Sequence, residues 1–142
     1  MPATAAFITR IDMKLQADRI DGLNAISRHG PGGIIVNGTP FRHSVIVPWT
    51  GAVSAWPVNQ FAALTEQHFE SLVKLEPEIV IFGSGARLRF VQPGLMRLLM
   101  QRRIGMETMD TAAACRTYNV LLQEGRAVLA ALLFEDMGNE LP

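Results

Sequence analysis

The chain is 142 residues long, with 49% hydrophobic and 18% charged residues, which places it in the range of one compact domain rather than two. Thirteen Lys and Arg offset thirteen Asp and Glu, so zero formal charge excludes nucleic-acid binding driven by bulk charge. The longest apolar run, residues 127–134, is far below the ~20 residues of a spanning helix, and the chain is read as soluble.

Cys115 is the single cysteine, so an internal disulfide is excluded and a reducing compartment fits. The first twenty residues lack a sustained apolar core and carry Asp12 and Asp18 among their basic residues. That suits neither a secretory signal nor a transit peptide, and points to the cytoplasm. Residues 1–10 and 137–142 are expected to be flexible ends of a single domain spanning 1–142.

In chain order, Gly30-Pro31-Gly32-Gly33 is a turn cluster before the apolar Ile34-Ile35-Val36. Asn37-Gly38 follows, a dipeptide that supplies the two positive φ angles of a tight hairpin, and residues 41–47 read as the returning strand until Pro48. From 59 to 75 the period changes: Phe61, Leu64, His68, Leu72 and Leu75 recur at helical spacing, widened by Phe69 and Val73. Asn59 is the expected N-cap and Pro77 the stop, with Glu70 and Lys74 on the solvent face.

Ile79-Val80-Ile81-Phe82 is apolar on both faces, the pattern of a strand covered on two sides, and Gly83-Ser84-Gly85 ends it. Pro93 opens a helix with Leu95, Leu98 and Leu99 on one face and Arg102 and Arg103 near its C-terminus, where the dipole favours cations. A short strand near 106–108 precedes a helix capped by Asp110, with Ala114, Tyr118, Leu121 and Leu122 at i, i+4, i+7 and i+8. Gly125 suits the left-handed position after that helix, and residues 127–134 form a second fully apolar strand. The predicted fold is α/β: N-terminal antiparallel hairpins joined in a mixed sheet to a C-terminal βαβαβ unit.

Two stretches go beyond pattern: IVIFGSG at 79–85 and GMETMDTAAACRTYNVLLQEGRAVLAALL at 105–133. Together with the GPGG…NG hairpin and Trp56-Pro57, they resemble the domain family of the mitochondrial NADH dehydrogenase (complex I) assembly factor 3 and its bacterial relatives. The most specific part is the run from Asp110 to Asn119 followed by Glu124-Gly125-Arg126. The likeness covers essentially the whole chain. It implies a three-layer β/β/α-type domain and a scaffold that binds partner proteins; it supplies no catalytic residues.

The residues that could carry chemistry are Gly83, Ser84, Gly85, Arg87, Asp110, Thr111 and Arg116. Gly83-Ser84-Gly85 lacks G-x-S-x-G spacing, and position 88 is Leu where a dinucleotide fingerprint needs Gly, so neither motif is present. A tight turn is the leading reading, with a small-ligand or anion site as its rival. That rival rests on the tendency of ligands in open α/β sheets to gather at strand carboxyl ends, where Arg87 could meet a carboxylate or phosphate. The N–H groups at Thr111 offer a second anion cradle, for which Asp110 competes as a cap. Arg116 is expected to pair with Glu107 or Glu124, and Tyr118 to be a core residue with a bonded hydroxyl.

His29, His43 and His68 fall on a turn, a strand and a helix with no ligand spacing, so neither metal nor cofactor is expected. Cys115 in an Ala-rich helix reads as a buried apolar group, and Met96, Met100, Met106 and Met109 as core filler. No acid falls between Glu78 and Glu107 while Arg87, Arg89, Arg97, Arg102 and Arg103 do, which predicts a basic face suited to protein contact. The resulting expectation is a non-enzymatic domain with a protein partner, no membrane span and no nucleic acid. Homo-oligomerisation is left open. The alternative is a small-molecule or anion site near Ser84, Arg87 and Thr111.

Overall fold

A computed structural model describes residues 22–135. The flexible ends expected at 1–10 and 137–142, and the targeting argument built on the first twenty residues, lie outside the described residues.

The N-terminal hairpins are β1 (Ile26–Gly30), β2 (Gly33–Val36) and β3 (Thr39–Phe41), an antiparallel three-stranded sheet. Asn37 and Gly38 turn the chain at φ 49° and 89°, as their dipeptide chemistry requires. Residues 41–47, expected as one returning strand, divide instead. Phe41 ends β3, the chain crosses at Arg42, His43 and Ser44, and β4 (Val45–Pro48) joins the other sheet. The cause is Ser44, whose buried hydroxyl accepts from the Phe134 N–H at 2.9 Å and donates to the Phe134 carbonyl at 3.2 Å. That pairing draws the chain toward the C-terminal strand.

The second sheet adds β5 (Ser54–Ala55), β6 (Ile79–Gly83), β7 (Gly105–Met109) and β8 (Val128–Leu132) in the order β5-β4-β8-β6-β7. β6 lies parallel to β7 on one side and β8 on the other, while β4 is antiparallel to β8. The two doubly apolar runs of the sequence are therefore neighbours at the sheet centre. Their side chains alternate between two cores, with Ile81, Val128, Ala130 and Leu132 on one face and Val80, Phe82, Leu129 and Ala131 on the other.

One face is covered by α1 (Glu66–Val73), the 3₁₀ turns Phe61–Ala63 and Pro93–Met96, and α2 (Arg97–Gln101). Asn59 does not cap α1: the helix starts six residues later, with Thr65 and His68 forming a reciprocal capping box. His68 Nδ1 accepts from the Thr65 N–H at 2.9 Å, and its Nε2 meets the Pro57 carbonyl at 3.1 Å. A carbonyl can only accept, so the ring is the neutral Nε2–H tautomer. His68 thus organises the helix start rather than belonging to the apolar stripe. Leu75 lies past the helix end and is exposed, as is Met100, which is not core filler; of α2 only Leu99 is buried. Glu70 and Lys74 sit on the solvent face as expected.

The other face is covered jointly by α3 (Thr111–Gln123) and the three-stranded sheet, giving helices, mixed sheet, and a mixed helix-and-hairpin layer. Asp110 caps α3, and Gly125 at φ 82° ends it in the left-handed region. The five arginines do not make one basic face. Arg87 follows the C-terminal end of β6, whereas Arg102 and Arg103 precede the N-terminal end of parallel β7. Arg97 leans on Glu66 at 3.8 Å, and Arg89 is turned inward. Among the described residues no helix is long and apolar enough to cross a membrane.

Candidate functional site

At the C-terminal end of β6 the backbone leaves the sheet under the start of α3. Gly83 is required for space, because a Cβ there would meet the Thr111 Cα and Oγ1 at 2.9 Å each. Gly85 is required for conformation: its φ is 106°, and a Cβ would press on Arg89 Nη2 at 2.5 Å. The Thr111 N–H donates to the Gly85 carbonyl at 2.8 Å, while its hydroxyl accepts from the Gly85 N–H at 2.9 Å and donates to the Leu133 carbonyl at 3.0 Å. The turn and the helix start are thus bonded to each other and form one wall.

Ser84 is fully buried and its hydroxyl is fully engaged. It lies 2.8 Å from the Arg87 carbonyl and 3.2 Å from the Met109 carbonyl as donor, and accepts from the Arg89 N–H at 2.9 Å. A serine held this way shapes a loop. At the helix start, Asp110 Oδ1 accepts from the Ala113 N–H at 2.8 Å and the Asp110 carbonyl accepts from Ala114. With Thr111 N–H bonded to Gly85, the expected anion cradle is largely filled by the chain itself. Arg87 is exposed and contributes its carbonyl, and Arg116 is exposed with no ion pair to Glu107 or Glu124 among the described residues. At the other end of the sheet, before β6 and β8, Arg126 pairs with Glu78 at 2.6 Å. That bond and the Ala127 N–H hold the exposed Glu78 carboxyl below its usual value, slightly opposed by burial.

Beside this wall lies a cleft of about 550 Å³. Its opposite side is the hairpin tip, His29, Gly30 and Pro31, and its remaining lining comes from Gly85, Ala86, Asp110, Thr111, Ala112, Cys115 and the segment Leu133, Phe134, Glu135. The acidic groups in the lining are Asp110, whose Oδ1 caps α3, and Glu135, which is paired with Arg89. The Cys115 thiol is buried and its pKa is pushed up to about 12, with the nearby Arg116 charge only partly opposing, so it stays protonated at neutral pH. Among the described residues no group of three or more His, Cys, Asp or Glu is placed to hold a metal ion.

Arg89 and Glu135 form the site's ionic centre, and neither was singled out in the sequence as a site residue. Arg89 Nη2 donates to Glu135 Oε1 at 2.8 Å and to the Ser84 carbonyl at 2.7 Å, and the guanidinium carbon lies 4.5 Å from the Phe61 ring centroid. Glu135 Oε2 accepts from the Phe61 N–H at 2.8 Å. Burial works against ionisation of Glu135, but the hydrogen bonds from Arg89 and Phe61 with the Arg89 and Arg87 charges outweigh it and lower the pKa. The only signal in the sequence was position: Glu135 is the first acid after the apolar run 127–134, and Arg89 follows two residues after Arg87.

The segment Tyr118-Asn119 of α3 ties down the hairpin that bounds the cleft. Tyr118 is fully buried and donates to the Asn24 carbonyl at 2.7 Å and the Pro48 carbonyl at 3.1 Å, and burial raises its pKa. Asn119 accepts from the Ile26 N–H at 3.0 Å and donates to the Ile26 carbonyl at 2.7 Å, standing in for a neighbouring strand.

Residues 26–133 match the family described as Protein of unknown function (DUF498/DUF598). The chain is 38% identical over 111 residues to NADH dehydrogenase (ubiquinone) 1 alpha subcomplex assembly factor 3 of Bos taurus, covering 76% of this chain and 59% of that relative's length. It thus spans somewhat under two thirds of that curated relative. Among solved structures, a Bordetella parapertussis protein is 39% identical with a TM-score of 0.75, covering 79% of this chain and 96% of that one. The Bordetella pertussis protein described as an Mth938-like domain is 33% identical with a TM-score of 0.75, covering 87% and 94%. Matched along most of its described length in sequence and in fold, the chain belongs to the DUF498/DUF598 family of Mth938-like domains, related to the complex I assembly factor 3 proteins.

Proposed function

We propose that the chain is a non-enzymatic accessory or assembly factor that acts in the cytoplasm by binding a partner protein. The observation that carries this reading is the 38% identity to a bovine protein named as an assembly factor. The geometry supports it, because the hydroxyls of Ser84 and Thr111 and the Asp110 Oδ1 are engaged in holding backbone, so none of the three is poised as a nucleophile or a free base. The test is to cross-link the tagged full chain in its native cells at low salt, purify it, and weigh the product by light scattering and mass spectrometry. A foreign protein in fixed ratio with the bait is expected. Recovery of the bait alone, as monomer or as copies of itself, counts against it.

A second reading is favoured by the cleft, whose volume of about 550 Å³ falls within the range of small-molecule sites and which opens at the strand carboxyl ends. With Leu133 and Phe134 beside two carboxylates, its fitting occupant is an apolar molecule carrying a cationic or donor group, rather than the anion expected near Ser84, Arg87 and Thr111. A fragment screen by nuclear magnetic resonance discriminates. Ligands that shift Ala112 and Phe134 support this reading, and a silent cleft removes it.

A further inference from the structure

The outer face of the three-stranded sheet carries a second concavity, of about 290 Å³, that no motif in the sequence marked. Register builds it. Arg28 on β1 stands opposite Ile35 on β2, which stands opposite Pro40 on β3, so these three residues form one row across the sheet. Next to that row Gly30 opposes Gly33, and a Cβ on Gly33 would collide with the Phe41 carbonyl and approach the Arg42 Cα at 3.1 Å. Arg42 is thereby set beside Gly33, and both arginines line the same hollow with His29.

Two independent features point to a ligand. First, among the described residues the charge is uncompensated: between Gly22 and Thr65 there is no Asp or Glu, and neither the Arg28 nor the Arg42 side chain has an ion pair or hydrogen bond to a described residue. Arg89 at the strand-end wall is by contrast paired with Glu135 at 2.8 Å. Second, two of the lining glycines have no packing reason to be glycine. A Cβ at Gly30 or Gly32 would meet nothing within 4 Å, and neither residue has positive φ. Their effect is to leave bare backbone in the same lining as Arg28 and Arg42, where an oxygen-rich anion can approach closely.

We propose that this hollow is an oxyanion site, taking the phosphate or carboxylate head of a small ligand between Arg28 and Arg42, with any apolar remainder against Ile35 and Pro40. The planar guanidinium offers paired donors to either head group, and the volume suits one such group with a short body. The site is separate from the strand-end cleft, although His29 and Gly30 line both. The two hollows have opposite character: arginines here, carboxylates there.

The test is a titration of the isotope-labelled full chain with inorganic phosphate and, separately, with glutarate, at constant ionic strength held by sodium chloride. Saturable shifts at the Gly30, Gly32 and Gly33 amides and the Arg28 and Arg42 side chains are expected with at least one of the two. Response to phosphate alone, or to glutarate alone, identifies the head group. In Arg28→Gln and Arg42→Gln, each exposed and away from the core, the affinity should fall by about tenfold, as expected for losing one charged hydrogen-bonding partner. Arg87→Gln, outside the hollow, should bind as the parent does. Shifts that rise linearly without saturating, that chloride alone reproduces, or that persist unchanged in both arginine variants overturn the proposal.

Discussion

The two faces of the five-stranded sheet both bury apolar side chains, but only one adds a set of directional side-chain bonds to the layer that covers it. On the helical face, Trp56, Phe69 and Phe82 meet edge to face with ring centroids 5.5 to 5.9 Å apart, and Leu64, Leu72 and Leu99 close around them. The attachment there is apolar burial, which is non-directional and tolerant of small displacement. On the opposite face the three-stranded sheet buries Ile26, Ile34 and Val36 in the core and is further fixed to α3 and β4 by side chains bonded to backbone: Tyr118, Asn119 and Asn24. Directional bonds set position. The difference shows why the cleft lies on the second face, where a hairpin tip is held at a defined distance from the strand ends rather than packed onto them.

The largest expected effect is on the helical face. Trp56→Ala removes a nearly fully buried ring, two of the three ring contacts and the hydrogen bond to the His68 carbonyl, and should cost about 3–5 kcal/mol. Urea unfolding monitored by circular dichroism measures it. A loss under about 1 kcal/mol would show that this face is not held by burial and would break the contrast. Asn119→Ala should cost less, about 1–3 kcal/mol, because it leaves the Ile26 N–H and carbonyl without their partner. Its signature is regional: amide exchange should quicken in β1 and β2 while the central strand β8 stays protected. Uniform acceleration across both sheets would mean the hairpin has no separate attachment.

How far this arrangement could be seen in the sequence follows the range of the interactions. The strands 79–83 and 128–132, the Asp110 cap and the Gly125 stop were legible because each is set by neighbours a few residues away. The division of 41–47 between two sheets was not, since it depends on Ser44 meeting Phe134, 90 positions distant. The start of α1 was misplaced for a local reason instead: the capping box uses His68 where Glu or Gln is usual, so Asn59 was the more visible signal. At the candidate site the sequence places Gly83, Ser84, Gly85, Asp110 and Thr111 at strand ends, and they come together because a strand-turn and a helix start on adjacent parallel strands must meet. It could not show that their polar atoms satisfy one another, nor that Arg89 finds Glu135 across 46 positions.

Two smaller effects sharpen the comparison. Tyr118→Phe deletes one hydroxyl and leaves the ring in place. The Pro48 carbonyl still receives the Asn24 side-chain amide, so the main loss is the bond to the Asn24 carbonyl. A cost of about 0.5–1.5 kcal/mol in thermal or urea unfolding is expected, well under that of Asn119→Ala if both carbonyl and N–H must be stranded to loosen the hairpin. Equal costs would move the anchor from Asn119 to the phenol.

The smallest effect is also the one with a pH signature. The folded Glu135 pKa lies below its ordinary 4.5, so the folded state favours the ionised form more than the unfolded chain does. Its contribution is therefore complete above that ordinary value and disappears as pH falls through the lower folded value. The pair is partly exposed, with about a quarter of each side chain accessible, so its worth at neutral pH belongs to the range of ~0–1 kcal/mol. Glu135→Gln removes the titration and keeps one acceptor oxygen, enough for either Arg89 or the Phe61 N–H but not both. Stability measured from neutral pH down into the acid limb should fall less steeply in the variant, and the two curves should converge at the acid end. Parallel curves would assign the acid sensitivity to other carboxylates, such as Glu78 beside Arg126, and leave the Arg89 to Glu135 bond as a matter of geometry alone.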